Sequence, residues 1–158
     1  MTLLLLCQIL MANDCNILNF EKKKKIKITL IFFLFPAQGH YIFIESSSPR
    51  RVNDTARIIS LNINPTSGAC VTFWYHMYGA HINTLNLYLK QNNQLGTPIW
   101  KHTGTLNNHW YKAVVNIASQ TPFQMVFEGV RGTSYQGDIA LDDISYSFSP
   151  CSQTTCKS

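Results

Sequence analysis

Three aspartates near the end of the chain have the types and spacing that come closest to a chemical site. Asp138 lies shortly before the adjacent pair Asp142 and Asp143. Neighbouring residues on a β-strand point to opposite faces, so this pair does not suit a general acid and base that flank one bond. Hard cations such as Ca²⁺ bind carboxylate and carbonyl oxygens. Two hypotheses stay open: a calcium site at these aspartates, or a structural role in which one of them accepts hydrogen bonds from backbone amides.

The sequence lacks the other patterns that usually signal catalysis or a bound cofactor. Its five histidines are not clustered at the spacing of metal ligands. It contains neither a Gly-x-Ser-x-Gly motif nor a glycine-rich phosphate-binding loop. Trp74, Trp100 and Trp110 could offer a surface on which sugar rings stack, although strand aromatics more often belong to a core. We therefore expect no enzymatic activity and no required cofactor, with calcium as the one metal to consider.

The cysteines and one glycosylation motif indicate the secretory pathway. The five cysteines are Cys7, Cys15, Cys70, Cys151 and Cys156. They show none of the close pairs with interspersed histidine that a zinc site needs, so disulfide bonds, which form in oxidising compartments, are the better explanation. Asn53-Asp54-Thr55 is a valid acceptor for N-glycosylation in a predicted surface turn, whereas proline blocks the acceptor at Asn64-Pro65-Thr66.

The positive charge of the chain is concentrated ahead of the predicted domain. The net charge is +5, but Lys22–Lys27 supplies five of the thirteen basic residues. From Gly39 onward, eight basic residues are balanced by six acidic ones. No basic face remains that could follow a phosphate backbone, so nucleic acid is excluded as a partner.

Residues 1–38 are predicted to be a leader outside the folded domain. The lysine run precedes the apolar stretch Ile28–Phe35, an order typical of a signal peptide, and the stretch is too short to span a bilayer. A translated intron end, with its pyrimidine-rich tract and AG acceptor, would encode the same run followed by Pro36-Ala37-Gln38. A signal-like segment and a gene-model artefact both stay open. Residues 39–151 form the predicted domain, and residues 152–158 are typical of a linker to a following module.

Beyond Gly39, apolar and polar residues alternate with period two between turn residues, which predicts an all-β fold. The predicted strands are His40–Glu45, Ala56–Ile63, Ala69–Tyr78, one around Leu85–Leu89, a short one at Ile99–Trp100, Trp110–Ala118, Phe123–Val130 and Asp138–Phe148. Ala69–Tyr78 is apolar on both parities, so we expect a central strand that is covered on both faces. The parity of the apolar residues changes between Leu141 and Ile144, which predicts a β-bulge near Asp142-Asp143.

Two segments of the predicted domain carry motifs that point to one family. In Gly68–Gly79, a cysteine precedes Phe73, Trp74 and Tyr75, and Gly137–Ile144 contains Gly137, Ile139 and Leu141. The first segment resembles the central motif of the MAM domain, an extracellular module of meprin, neuropilin and receptor tyrosine phosphatase mu type, and the second is similar to a hallmark of that family. The resemblance covers Gly39–Cys151. Family members carry a further segment with two cysteines before it, so the first strands are expected to be missing from this chain.

The resemblance implies a two-sheet antiparallel β-sandwich of jelly-roll-like form and a disulfide between Cys70 and Cys151. It also implies a non-catalytic adhesion or interaction module of a larger secreted or cell-surface protein. Its partners would be other extracellular protein domains, copies of itself included, and it would be attached to a membrane only through its parent protein. Two alternatives stay open: an accessory domain of a secreted or membrane-bound protease of the meprin or enteropeptidase type, and a calcium-dependent glycan-binding sandwich.

Overall fold

The computed structural model describes residues 18–19, 28–30 and 41–152. Its strands are β1 (Leu18–Asn19), β2 (Ile28–Leu30), β3 (Ile42–Ile44), β4 (Thr55–Ser60), β5 (Thr66–His76), β6 (Thr84–Gln91), β7 (Gln94–Thr103), β8 (Tyr111–Ser119), β9 (Gln124–Val130) and β10 (Ile139–Ser147). Within the described ranges, no helix is long and apolar enough to cross a membrane. The all-β fold expected from the alternating pattern is confirmed.

The strands form two antiparallel sheets that pack face to face around one core. The first sheet has the order β1-β4-β9-β6-β7, and the second has the order β2-β3-β10-β5-β8. Without the short strands β1 and β2, each sheet has four strands. From β3 onward, the chain changes sheet at every connection except the β6–β7 hairpin. This connectivity confirms the jelly-roll-like β-sandwich.

Strand pairing begins earlier than the domain boundary predicted at Gly39. β1 pairs with β4 through Leu18 and Ser60, and β2 pairs with β3 through Leu30 and Ile42. Each short strand gives the neighbouring strand a second antiparallel partner. The other residues of the predicted leader lie outside the described ranges, so a signal-like segment and a gene-model artefact both stay predictions. The linker predicted for residues 152–158 lies outside them too, except for its first residue.

The core is built from the inward-facing residues of both sheets. Its largest fully buried side chains are Phe73, Phe123, Phe127, Met77, Leu85 and Leu87. The ring of Phe73 on β5 lies 5.0 Å from Phe127 on β9 and 5.0 Å from Trp100 on β7, edge to face in both cases. Each aromatic pair of this kind adds about 0.5–1.5 kcal/mol beyond the burial of its area. Phe73 therefore joins the second sheet to two strands of the first.

Two strand predictions need correction. β5 lies between β10 and β8, as expected of an interior strand, but only one of its faces is covered. Phe73 is fully buried, whereas Trp74 is 36% exposed and Tyr78 is 55% exposed. Apolar residues on both parities reflect a core face and an aromatic outer face, so the prediction of two covered faces was wrong. The predicted short strand at Ile99–Trp100 belongs to the ten-residue strand β7.

The hairpin turn explains why β7 is longer than predicted. Asn92 and Asn93 connect β6 to β7, and both have positive φ angles, 50° and 63°. Two consecutive residues with positive φ are what a type I′ turn requires, and asparagine tolerates this conformation better than most residues. The tight turn starts the pairing of β7 with β6 directly at Gln94.

The predicted β-bulge in β10 is confirmed. Asp142 pairs with Trp74 and Ser145 pairs with Thr72, so the register shifts by one residue between them. The bulge moves the inward-facing positions from odd to even numbers, which allows Ile139, Leu141 and later Tyr146 all to reach the core.

Candidate interaction surfaces and buried clusters

Asp138 is held by Ser46, which follows β3. Its Oδ1 accepts a hydrogen bond from the Ser46 backbone N–H at 2.8 Å and lies 2.6 Å from the Ser46 hydroxyl, another donor. Ser46 is fully buried, and its Oγ in turn accepts a hydrogen bond from the Gly137 N–H at 3.2 Å. Asp138 thus connects the loop before β10 to the end of β3.

Arg131 closes the same end of the sandwich. Its Nε donates to the Ser46 carbonyl at 2.9 Å and its Nη1 donates to the Gly132 carbonyl at 3.0 Å. At Gly137, a Cβ atom would lie only 2.6 Å from the carbonyl oxygen of His81. The role of Gly137 in the family-like motif is therefore the close approach of two loops, and it involves no chemistry.

Asp142 and Asp143 lie at the bulge in β10, away from the contact between Asp138 and Ser46. Asp142 Oδ1 accepts a hydrogen bond from the Asp143 N–H at 2.8 Å, and Asp143 has a φ of 45°. In the part of the chain that the structure describes, no group of three His, Cys, Asp or Glu side chains is placed to hold a metal ion. The structure thus does not bring the three aspartates together, and the calcium site stays a prediction.

Cys70 on β5 and Cys151 after β10 form the disulfide that the resemblance implies. They are 81 residues apart in the sequence, with their Cα atoms 4.8 Å apart. The Cys151 N–H also donates to Oδ1 of Asn116 on β8 at 2.8 Å, so the chain after β10 is fastened across two strands. Since disulfides persist in oxidising compartments, the bond agrees with an extracellular or cell-surface module.

Asn53, the predicted glycosylation site, is exposed in the turn between β3 and β4. Its φ is 66°, a conformation that asparagine tolerates, and its Oδ1 accepts a hydrogen bond from Asn83 Nδ2 at 3.3 Å. A surface turn is where a glycan can be attached, and modification of Asn53 stays a prediction.

The outer face of the second sheet carries a group of aromatic side chains, which we call the aromatic face. Its members are Tyr41, Phe43, Trp74, His76, Tyr78 and Trp110, with Lys112 and Val114 beside them. The Trp110 ring lies 5.5 Å from Tyr41 and 5.6 Å from His76, centroid to centroid. Val114 is 54% exposed, which is comparable with Tyr78. Contiguous apolar groups at a surface mark interaction sites more often than scattered ones do.

Strand alternation explains how the tryptophans are divided between this face and the core. Phe73 and Tyr75 point inward from β5, so Trp74 between them must point outward. Lys112 lies opposite Trp74 on β8, and its Nζ is 6.0 Å from the indole centroid, within the range of a cation–π contact. Trp100, in contrast, packs against Phe73 in the core. Of the three tryptophans, only Trp74 and Trp110 are available to a partner.

The outer face of the first sheet is different, because a buried carboxylate organises polar side chains there. Glu128 on β9 is 5% exposed. Its Oε2 accepts from Arg57 Nε at 2.6 Å and Nη2 at 2.5 Å, while its Oε1 accepts from Asn86 Nδ2 at 3.2 Å and the Tyr88 hydroxyl at 2.9 Å. We call these four residues the Glu128 cluster. Four donors satisfy one carboxylate, which indicates structural rather than catalytic use.

Three tyrosines are perturbed by their surroundings. Burial raises the pKa of Tyr75 above 10.0, and the nearby Tyr111 raises it further. Burial also raises the pKa of Tyr88, to which the hydrogen bond to Glu128 adds, and burial alone raises the pKa of Tyr146. All three shifts keep the phenols neutral. None of them activates a group for acid–base work near neutral pH.

One apolar cavity lies between the sheets. It is lined by Ile42, Phe43, Ile44, Ala56, Ile58, Leu85, Phe127, Gly129, Ile139 and Leu141. Its volume is about 30 Å³. That volume is comparable with the space of one water molecule, and an apolar cavity of this kind gives a substrate no polar anchor.

Sequence reasoning missed the Glu128 cluster and the contact between Ser46 and Arg131. Glu128 lies on the outer face of its strand, and its burial depends on Arg57 and Tyr88 from two other strands. The register of the strands determines which residues of β4, β9 and β6 lie beside each other. A single sequence does not indicate that register.

Comparison with known proteins agrees with the fold and the motifs. The family model described as MAM domain, meprin/A5/mu, matches residues 21–152. The MAM domain-containing glycosylphosphatidylinositol anchor protein 1 of Gallus gallus is 48% identical over 117 residues, which cover 72% of this chain and 12% of that protein. The MAM domain-containing glycosylphosphatidylinositol anchor protein 2 of Mus musculus is 40% identical over 127 residues, which cover 73% and 13%. This chain therefore spans about an eighth of the length of these relatives.

A solved structure supports the same architecture. The K1 cleaved adhesin domain of Lys-gingipain from Porphyromonas gingivalis W83 has a TM-score of 0.57 and 14% identity, covering 68% of this chain and 73% of that one. At this identity the likeness shows the fold alone. The family match starts before Gly39, in agreement with the pairing of β2 with β3. The disulfide and the glycosylphosphatidylinositol-anchored relatives place the module outside the cell or at its surface. With the matched segment covering most of the sequence, the chain belongs to the MAM domain family.

Proposed function

We propose that this chain is a non-catalytic extracellular module that makes adhesive contacts between copies of itself through its aromatic face. It would act as one part of a larger cell-surface or secreted protein. The aromatic face is the single observation that carries the proposal. Outward-facing tryptophan and tyrosine side chains on a rigid sheet give a partner large, apolar anchors at low cost in conformational entropy.

The chemistry of the aromatic face suits a protein partner. Trp74, Tyr78 and Val114 are all at least one third exposed, and polar groups beside them can form the polar rim of an interface. Lys112 is such a group, and so is Asn108, whose Oδ1 lies 3.0 Å from Nε2 of His76. Protein interfaces commonly combine an aromatic centre with a polar rim of this kind.

The contacts of two carboxylates and the size of the cavity between the sheets support a non-catalytic role. The carboxylates of Asp138, which is half-buried, and of Glu128, which is buried, accept structural hydrogen bonds. The cavity between the sheets is too small and too apolar for a substrate. These features favour binding over catalysis as the work of the module.

Aggregation of coated beads tests the proposal. The chain is coupled covalently to fluorescent beads, and the clustered fraction is counted for wild type and for the double variant Trp74→Ala/Tyr78→Ala. Phe148→Ala is the matched control, because Phe148 is a 79% exposed aromatic residue just beyond the end of β10. We expect beads with wild type and Phe148→Ala to cluster, and beads with the double variant to cluster less. Dispersed wild-type beads, or equal clustering of the double variant, would overturn the proposal.

A second candidate is a glycan-binding sandwich, and the outward position of Trp74 and Trp110 favours it. Sugar rings stack on exposed aromatic side chains, and the binding would depend on calcium if an ion bound at one of the aspartates Asp138, Asp142 and Asp143, which the structure does not bring together. A glycan array probed with and without EDTA tests this candidate. A signal that is lost both in EDTA and in Trp74→Ala supports it, and a blank array removes it.

A further inference from the structure

The two sheets end on the same side of the sandwich in strands that differ in how well they are protected. β7 is the last strand of the first sheet, and β8 is the last strand of the second. Among the described residues, β7 pairs only with β6 and β8 pairs only with β5. Each strand therefore presents unpaired backbone N–H and C=O groups, which are a template for pairing with another chain.

β7 carries the features that usually prevent such pairing. Pro98 lies within it and lacks an N–H group, and its register with β6 shifts twice, between Leu87 and Tyr88 and between Tyr88 and Lys90. Lys101 is one of the exposed residues of β7. A proline, irregular pairing and a lysine are the recognised ways of blunting an edge strand.

β8 lacks these features. Its nine residues, Tyr-Lys-Ala-Val-Val-Asn-Ile-Ala-Ser, contain neither proline nor glycine. Its register with β5 is continuous from Ile117 to Tyr111. Its one charged residue is Lys112, whose ammonium group lies over the ring of Trp74 and is thus drawn over the sheet face. The edge of β8 is therefore straight, β-branched and unguarded.

We propose that β8 pairs antiparallel with β8 of a second copy of this chain about a two-fold axis. The two copies would then share one continuous sheet of ten strands, counting five from each. This inference goes beyond the proposed contact through the aromatic face, because it concerns the edge of the sheet. A symmetric strand pair is an isologous interface, which closes on two copies and does not propagate.

The sequence of β8 defines the register of this pair. Exposed residues of β8 must lie opposite exposed residues of the partner strand, because paired residues point to the same face. The register that fulfils this condition and pairs the whole strand has Val115 on the axis. Lys112 then lies opposite Ala118, so that the two lysines do not meet, and Val114 lies opposite Asn116. On the inner face, Ala113 lies opposite Ile117.

Ala118 gives a test by charge alone, because it is exposed and lies opposite Lys112 of the other copy. In Ala118→Glu, two symmetry-related pairs of opposite charge would form, and in Ala118→Lys two pairs of like charge would form. Cross-strand charge pairs change an equilibrium constant roughly 1.4- to 5-fold each, so two pairs change it roughly 2- to 30-fold. Sedimentation equilibrium of the full chain gives the dissociation constant of the dimer directly.

We expect wild type to form dimers, Ala118→Lys to raise the dissociation constant roughly 2- to 30-fold and Ala118→Glu to lower it by a similar factor. Both effects should shrink in 1 M NaCl because salt screens them. Thermal melts should show both variants as stable as wild type, since residue 118 points to solvent. A monomer at all concentrations, or a dimer whose dissociation constant neither substitution changes, would overturn the inference. Tyr78→Ala separates the two proposals, because it should weaken bead clustering and leave the dimer intact.

Discussion

The disulfide between Cys70 and Cys151 permits a quantitative prediction about stability. It closes a loop defined by a sequence separation of 81 residues. In the chain-entropy model, a crosslink of that span removes entropy from the unfolded chain and stabilises the folded one by about 4.5 kcal/mol. A domain of this size typically has a free energy of unfolding of about 5–15 kcal/mol. The double variant Cys70→Ala/Cys151→Ala should therefore lose a third or more of its stability.

Urea unfolding followed by tryptophan fluorescence measures this loss. The double variant should unfold at a lower urea concentration, and adding a reducing agent should shift wild type towards the same midpoint without moving the variant further. Ser147→Ala is the matched control, because Ser147 faces Cys70 across the strand pair but takes no part in the crosslink. A loss below about 1 kcal/mol in the double variant would contradict this prediction, since it would mean that the bond barely restricts the unfolded chain.

Three further predictions concern buried groups. Glu128→Gln should lower the free energy of unfolding by about 1–3 kcal/mol, because Arg57 loses its counterion and Tyr88 loses a charged acceptor. Urea unfolding measures this loss, and an unchanged midpoint would contradict the structural role of the Glu128 cluster. Phe127→Ala should cost about 3–5 kcal/mol by leaving a cavity beside Phe73, whereas Val114→Ala on the surface should cost less than about 0.5 kcal/mol. Stability should fall as the pH rises above about 10, because burial raises the pKa of Tyr75, Tyr88 and Tyr146, so the folded state keeps protons that the unfolded chain loses. Melts at pH 8 and 11 check the sign, and Tyr146→Phe should reduce the slope.

Local patterns in the sequence predicted much of the fold. The parity change between Leu141 and Ile144 located the bulge, because a one-residue insertion is the simplest way to keep both apolar sets inward. Alternation of this kind appears within one strand, so it can be recognised without knowing which strands lie beside it. The Cys70–Cys151 bond came from the family resemblance, and the structure bears it out.

What the sequence did not reveal depends on relations between strands. β5 is apolar on both parities, so its sequence does not say that Phe73 faces the core and Trp74 faces solvent. The aromatic face also requires Trp110 and Tyr41, which come from different parts of the chain and meet only through the order β3-β10-β5-β8. The Glu128 cluster depends in the same way on three strands that are distant in sequence.

Site-specific photocrosslinking on the beads shows directly whether the aromatic face joins two copies of the chain. A photoreactive phenylalanine analogue replaces Tyr78 on the aromatic face, or Phe148 as a control that is exposed but lies off that face. In clustered beads, we expect covalent crosslinks between copies on different beads from position 78 and none from position 148. Crosslinks from position 148 with none from position 78 would contradict the claim that the aromatic face makes the contact.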